Sequence, residues 1–324
     1  MKRILSLILA LVLLVGVGAC AGAETTDKTL IHVGSLKGPT TMGMVKLLDD
    51  CDKGISVNKY TYQMAAAADE LTPLLLKGEL DVLAVPVNLA AVLYQKSQHE
   101  IQLLAINTLG VLYVVEKGGQ TVTDWQSLRG KTIYSSGKGG TPEYTFRYLL
   151  AQNGLDMDKD VNMEWVSEPS EIVAQLSAKD QGIAVLPQPF VTVASTKLEG
   201  LRTAMDLTEE WDKLNNGSKL ITAGLVIRKA FAEEHPAAVA KLLSEYAASV
   251  SYVNGNPEEA SALIESYDIV KAPIAQKAIP YCNLVCITGG EMKTITEGYL
   301  STLCDQNPKA VGGEMPGADF YYAG

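Results

Sequence analysis

The sequence predicts an α/β chain of two lobes, each a mainly parallel sheet flanked by helices. Three observations predict it. From residue 30 onward, short β-rich apolar runs alternate with helical patterns, the order that builds βαβ units. The 305 residues beyond the first 19 exceed one core, because single cores stop growing near ~250–300 residues. Two segments also repeat at a single offset of 101 residues: Lys37-Gly38-Pro39-Thr40 with Lys138-Gly139-Gly140-Thr141, and the run at 81–86 with the run at 182–187.

Element by element, strands are expected at 30–35, 57–63, 81–86 and 101–108, with helices at 41–51, 66–77 and 88–96 between them. A second series follows, with strands at 111–116, 132–135, 161–166 and 182–187 and helices at 141–152 and 170–178. After a further apolar run at 220–227 the pattern turns to helices alone, at 236–254, 257–266, 273–279 and 291–304. Each opens on a proline or an acid, residues suited to a first turn. A helical tail must pack on something already folded, so the chain is expected to return to its first lobe, crossing near 108–112 and again near 218–224. The expected division is residues 30–108 for lobe one, 109–220 for lobe two and 221–324 for the return to lobe one.

The N-terminus carries Lys2 and Arg3 ahead of a stretch, residues 4–23, without charge. That is the layout of an export signal. The stretch contains Val17-Gly18-Ala19-Cys20, which resembles a bacterial lipobox: small residues before the cysteine fit a lipoprotein signal peptidase. The expectation is removal of residues 1–19, a lipid on Cys20 that ties the protein to the outer face of the cell membrane, and a linker at 20–29. The alternative is an uncleaved anchor, since about 20 apolar residues span a bilayer; Gly16 and Gly18 weaken such a helix.

Cleavage would leave 25 basic residues against 37 acidic ones, a formal charge of −12. An acidic balance of that size argues against a nucleic-acid partner. With Cys20 assigned to lipid, Cys51, Cys282, Cys286 and Cys304 remain; at least one disulfide is expected outside the cell, with four free thiols as the alternative. His32, His99 and His235 stand in no ligand-like spacing with the cysteines, so no metal site and no cofactor is expected.

Ligands of open parallel sheets bind beyond the carboxyl ends of the strands, and the repeated segments lie there. Each loop opens a helix whose free N–H groups attract polar or anionic acceptors, and Gly38, Gly137, Gly139 and Gly140 allow close backbone approach. Asn88 and Gln188 follow the Val-Pro and Leu-Pro strand ends, and Asn107 and Thr108 sit at the first crossing; such side chains donate or accept hydrogen bonds. Lys37 and Lys138 are candidate anion contacts, and Trp165 and Phe190 are candidate stacking surfaces or core residues. Residues 35–41, 85–90, 107–111 and 135–142 contain no Asp or Glu. A desolvated cation must be paired, so the expected ligand is neutral or anionic.

Signatures of catalysis are missing. Gly130-Lys131-Thr132 resembles the end of a P-loop, but Trp125 stands where that motif needs a glycine, and the segment precedes a strand. There is no G-x-S-x-G elbow, no H-E-x-x-H and no G-x-G-x-x-G after a strand.

The signal and lipobox, the Lys-Gly-Pro-Thr loop, Leu128-Arg129-Gly130-Lys131-Thr132 leading to Gly137–Pro142, and Asn153-Gly154-Leu155-Asp156 with Lys159-Asp160-Val161 resemble the nitrate, sulfonate, taurine and thiamine-precursor solute-binding proteins of ABC importers. The resemblance covers about residues 30–270. It implies a type 2 periplasmic-binding-protein fold, hinge closure on a small molecule, delivery to an ABC permease and no enzymatic activity. Contacts are implied at Lys37, Gly38, Pro39, Thr40 and Thr41, at Asn107, Thr108 and Gly110, and at Lys138, Gly139, Gly140 and Thr141. The loops lack the arginine of the sulfonate and nitrate binders, and the chain lacks the cysteine-rich patch of the related pyrimidine-synthesising enzymes. Two other readings remain open: an enzyme on the same body, such as a lyase of small carboxylates, and a sensory or adhesive surface lipoprotein.

Overall fold

A computed structural model describes residues 28–324, so the signal stretch and Cys20 lie outside the described residues. The chain opens with β1 (Leu30–Leu36), the short helix α1 (Pro39–Met42), α2 (Val45–Asp52), β2 (Lys59–Ala65), α3 (Thr72–Lys77), β3 (Val82–Pro86), α4 (Val87–Lys96) and β4 (Ile101–Leu109). It continues with β5 (Leu112–Lys117), β6 (Thr132–Ser136), α5 (Thr141–Gln152), β7 (Asn162–Val166), α6 (Pro169–Ser177), β8 (Gly182–Pro187), α7 (Phe190–Lys197), β9 (Leu201–Asp206) and α8 (Leu207–Lys213). The remainder is β10 (Ile221–Arg228), α9 (Lys229–Glu234), α10 (Pro236–Gly255), α11 (Pro257–Ser266), α12 (Ala272–Ala278), β11 (Leu284–Ile287) and α13 (Gly289–Gln306).

These strands form two sheets, ordered β11-β4-β10-β3-β1-β2 and β7-β6-β8-β5-β9. In the first, β1 pairs in parallel with β2 and β3, while β10 runs antiparallel between β3 and β4. In the second, β6 pairs in parallel with β7 and β8, while β5 runs antiparallel between β8 and β9. The two patterns are equivalent: β1 and β6 hold the same place, as do β3 and β8, which gives the 101-residue repeat a topological counterpart. The reversed strand in each sheet is the one that follows a passage of the chain from the other sheet.

Burial explains which runs became which strands. β3 and β8 are central and read as nearly continuous apolar segments, as strands covered on both faces do. The edge strand β7 reads Asn-Met-Glu-Trp-Val and is only partly buried. Helices α2 and α10 to α12 pack on one face of the first sheet around Met42, Leu48, Val239, Leu242 and Tyr246. Helices α6 and α7 cover the outer face of the second sheet.

A third core is continuous across the molecule, running from α3 and α4 of the first lobe to α5 and α8 of the second. Helix α13 joins it from both sides, packing on α4 and β4 of one lobe and on α5 of the other. The rings of Trp211 in α8 and Tyr299 in α13 stand 5.6 Å apart, both fully buried.

Several elements differ from expectation. The helix expected at 41–51 is two helices broken at Gly43 and Met44; a side chain at Gly43 would meet the Tyr246 hydroxyl at 3.0 Å, so α10 packs closely against the break. Strand β9 and helices α7 and α8 fall where no element was expected; the edge strand Leu201–Asp206 reads Leu-Arg-Thr-Ala-Met-Asp, without the alternation that marks a strand, and α8 ends in the largely charged run Glu-Glu-Trp-Asp-Lys. The C-terminal part is not helical throughout, since Leu284–Ile287 adds β11 to the edge of the first sheet. No disulfide joins the described cysteines: Cys51, Cys282, Cys286 and Cys304 are all free. Cys51 lies on α2 with its thiol donating to the Tyr60 carbonyl, Cys282 is sealed in the α10–α12 core, and Cys304 packs against the core shared by both lobes.

Candidate functional site

The loop after β1 turns at Gly38, whose φ of 119° suits glycine. The Thr41 hydroxyl donates back to the Leu36 carbonyl at 2.5 Å and lies against the Ser35 hydroxyl. From β4, the Asn107 amide donates to the Thr40 carbonyl at 3.0 Å, and the Thr108 hydroxyl donates to the Asn107 side-chain oxygen at 3.1 Å. Thr40, Thr41, Asn107 and Thr108 are thus brought together, but as a buried cluster that fixes the loop. Lys37, expected as an anion contact, pairs with Asp268 at 2.7 Å.

In the second lobe, the loop after β6 passes through Gly137 and Gly139 at φ of 76° and 78°. A side chain on Gly137 would also strike Pro142 at 2.9 Å. The Gly139 N–H, expected to be free for a ligand, instead donates to the Glu143 carboxylate at 2.7 Å. Arg147 braces Glu143 at 3.2 Å and reaches Asp158 at 2.6 Å. Lys138 is exposed.

The two lobes meet where α5 and α4 begin. The Thr141 hydroxyl donates to the Asn88 side-chain oxygen at 3.3 Å, and the Asn88 amide donates to the Ala310 carbonyl at 3.4 Å. Both residues line a cavity of about 430 Å³ together with Gly137, Gly140 and Thr222. The rest of its wall is Pro86, Leu89, Val111, Leu112, Pro142 and Pro187. No lining residue is charged. This cavity sits at the carboxyl ends of β3, β6 and β8, where open α/β sheets take ligands, and it is the candidate site.

A larger cavity of about 870 Å³ opens on the other side of β5, between α7, β9 and the end of α12 with the segment after it. Gln188 lies there and not with Asn88. Its backbone N–H donates to the Val111 carbonyl, and its side-chain oxygen accepts from the Thr192 amide and hydroxyl at 3.3 and 2.9 Å. Across this gap the Tyr113 hydroxyl donates to the Tyr281 carbonyl at 3.1 Å, and burial pushes the Tyr113 phenol upward. Its wall comes mainly from the sides of a helix and a strand, away from the βα turns, so the smaller cavity is the better-built site.

Gly110 carries the chain from β4 to β5. Its carbonyl accepts from the Asn283 side chain at 2.6 Å, and a side chain on Gly110 would meet the Thr208 hydroxyl at 2.2 Å. Trp165 and Phe190 line neither cavity. Trp165 is on the edge strand β7, against the shared core, and Phe190 faces α6 in an outer groove, because their elements present those faces away from the gap. The apolar wall and Thr222 escaped sequence reasoning; Thr222, the second residue of the strand that follows the return crossing, was the available signal. Among the described residues, no group of three or more His, Cys, Asp or Glu is arranged to hold a metal, and no helix is long and apolar enough to cross a membrane.

The sequence profile of the NMT1-like family matches residues 50–267. No curated protein matches the sequence. Among solved structures, an ABC transporter protein from Parabacteroides distasonis is similar at a TM-score of 0.78 and 26% identity, over 91% of this chain and 99% of that one. The periplasmic aliphatic sulphonate binding protein of Escherichia coli aligns at a TM-score of 0.72 and 15% identity, over 90% and 92% of the two chains. The periplasmic nitrate-binding protein of Synechocystis aligns at 0.57 and 14%, over 78% and 70%. The two-sheet architecture is therefore shared with periplasmic binding proteins.

Proposed function

This chain belongs to the NMT1-like family, and on that premise we propose that it is an extracytoplasmic solute-binding protein that captures a small neutral or anionic organic molecule for an ABC permease. One observation carries the reading: Asn88 and Thr141, from opposite lobes, meet in the wall of one cavity. A molecule held there touches both lobes, and that differential contact favours their approach. The likeness to an ABC transporter protein of known structure supports it.

Binding without turnover is supported by the wall itself. General acid–base chemistry needs a titrating group within hydrogen-bond reach of the substrate, and no Asp, Glu, His, Lys, Cys or Tyr lines the cavity. A micromolar dissociation constant corresponds to about −8 kcal/mol, within reach of apolar burial plus a few hydrogen bonds. Lipid on Cys20 would hold the protein at the outer face of the membrane, beside the permease.

The test is differential scanning fluorimetry of the soluble chain from Ala21 against vitamins, pyrimidines, sulfonates and small carboxylates. A bound ligand at a hundredfold excess over its dissociation constant adds about 2.7 kcal/mol. Chemical conversion of a stabilising compound would overturn the reading in favour of an enzyme. For the anchor, Cys20→Ser is expected to move the protein from the membrane pellet to the soluble fraction; retention in the pellet would refute lipidation.

A further inference from the structure

We propose that the cavity between Asn88 and Thr141 takes an uncharged, largely apolar molecule, and that it rejects sulfonates, nitrate and carboxylates. The inference rests on the solute-binding reading and narrows it. Two of the anion contacts that the loops offer are already used within the chain, and the third, Lys138, is exposed and does not line the cavity. Lys37 is held by Asp268 at 2.7 Å, and the Gly139 N–H at the start of α5 is held by the Glu143 carboxylate at 2.7 Å. Arg147 keeps that carboxylate in place. An anion approaching the Gly139 amide would therefore meet the Glu143 carboxylate already bound there.

The wall adds the second half of the argument. Leu89, Leu112, Pro142 and Pro187 face the space, and nothing charged does. A charge desolvated against such a surface without a partner costs several kcal/mol. What the wall offers a guest is hydrogen bonding from Asn88, Thr141 and Thr222. The Thr222 hydroxyl is buried and has no partner in the protein. A neutral molecule with one or two hydrogen-bonding groups matches that inventory, and about 430 Å³ lies within the ~300–1,000 Å³ of small-molecule pockets.

The experiment uses the soluble chain from Ala21 and the protein-free metabolite pool of a bacterial lysate. At pH 7 the pool is split on anion- and cation-exchange resins into retained and unretained fractions, and the melting temperature is measured with each. The unretained fraction alone is expected to raise it. Leu89→Asp, and separately the milder Thr222→Val, are expected to weaken that effect, shifting the half-maximal dose at least tenfold for Leu89→Asp. Stabilisation by the anion-retained or cation-retained fraction alone would overturn the proposal while leaving the solute-binding reading intact. Stabilisation that both substitutions leave unchanged would also overturn it, by locating the guest elsewhere. No stabilisation by any fraction would count against both readings.

Discussion

The hydroxyl of Thr141, first residue of α5, donates to the side-chain oxygen of Asn88, second residue of α4, over 3.3 Å. It is a direct hydrogen bond between the two walls of the candidate cleft. A neutral pair of this kind is worth about 0.5–1.5 kcal/mol, hence about 2- to 13-fold in the ratio of closed to open forms. Thr141→Val, which keeps the shape, is expected to expand the ligand-free protein measurably in small-angle X-ray scattering. An unchanged scattering profile would mean that this bond does not hold the lobes.

Glu116 is nearly sealed beneath the turn at 118–122. Burial alone would raise its carboxyl, but hydrogen bonds from the Thr121 hydroxyl and amide, the Val122 amide and the Arg202 guanidinium outweigh it and hold the group down at about 2. An unfolded glutamate titrates near ~4.3. The stabilisation from this group is therefore complete above about pH 5 and fades as pH falls through 4 toward 2, by on the order of 3 kcal/mol. Denaturant titrations of wild type and Glu116→Gln between pH 2.5 and 7 should converge at the acid end and separate at the neutral end. Parallel curves would contradict the assignment.

Tyr299 stands in the core that both lobes share, against Trp211. Removing a buried aromatic ring costs about 3–5 kcal/mol. Because the ring bridges units on either side, Tyr299→Ala should also uncouple them. Calorimetry is expected to give one transition for the wild type and two for the variant; a single, merely lower transition would show that the lobes are coupled elsewhere.

Gly110→Ala places a methyl group 2.2 Å from the Thr208 hydroxyl and 2.8 Å from Leu220. Overpacking of this sort costs about 1–3 kcal/mol. The strain falls where the chain passes between lobes, so the variant should lose stability and bind ligand more weakly, in thermal melts and titration calorimetry. Gly255→Ala, with open space at that position, serves as the control.

The thiols offer a further check. Burial pushes the Cys282 thiol far upward and Cys286 up to about 11, and only a thiolate attacks a disulfide reagent. Ellman's reagent should react slowly with Cys282 and Cys286 in the native chain from Ala21, and with four thiols once guanidinium unfolds it, without any reductant. Fewer than four would reveal a disulfide.

The elements that sequence reasoning found are those whose signal is local. The apolar runs of β3 and β8 and the proline-led starts of α10 and α11 declare themselves through pattern and first-turn chemistry. Strand β11 is four residues long and exists only because β4 offers it an edge, which no window of sequence contains. The site divides in the same way. Asn88, Gly140 and Thr141 were legible because they follow strand ends. Thr40, Thr41, Asn107 and Thr108 look identical in sequence, yet they satisfy one another instead of facing the cavity. The partners of Lys37 and Gly139 depend on Asp268, 231 residues away, and on one turn of helix; the first is invisible to any local reading.

The place of β10 also constrains how the chain is made. It lies between β3 and β4, in the interior of the first sheet, yet it begins only at Ile221, after the whole second lobe has been synthesised. Until that segment emerges, β3 and β4 have no neighbour to join them, and the edge of β3 stays unpaired. The second sheet, by contrast, is complete once Asp206 has emerged. The order of the strands therefore lets the lobe in the middle of the sequence close first, and the lobe that draws on both β1 and β11 close last.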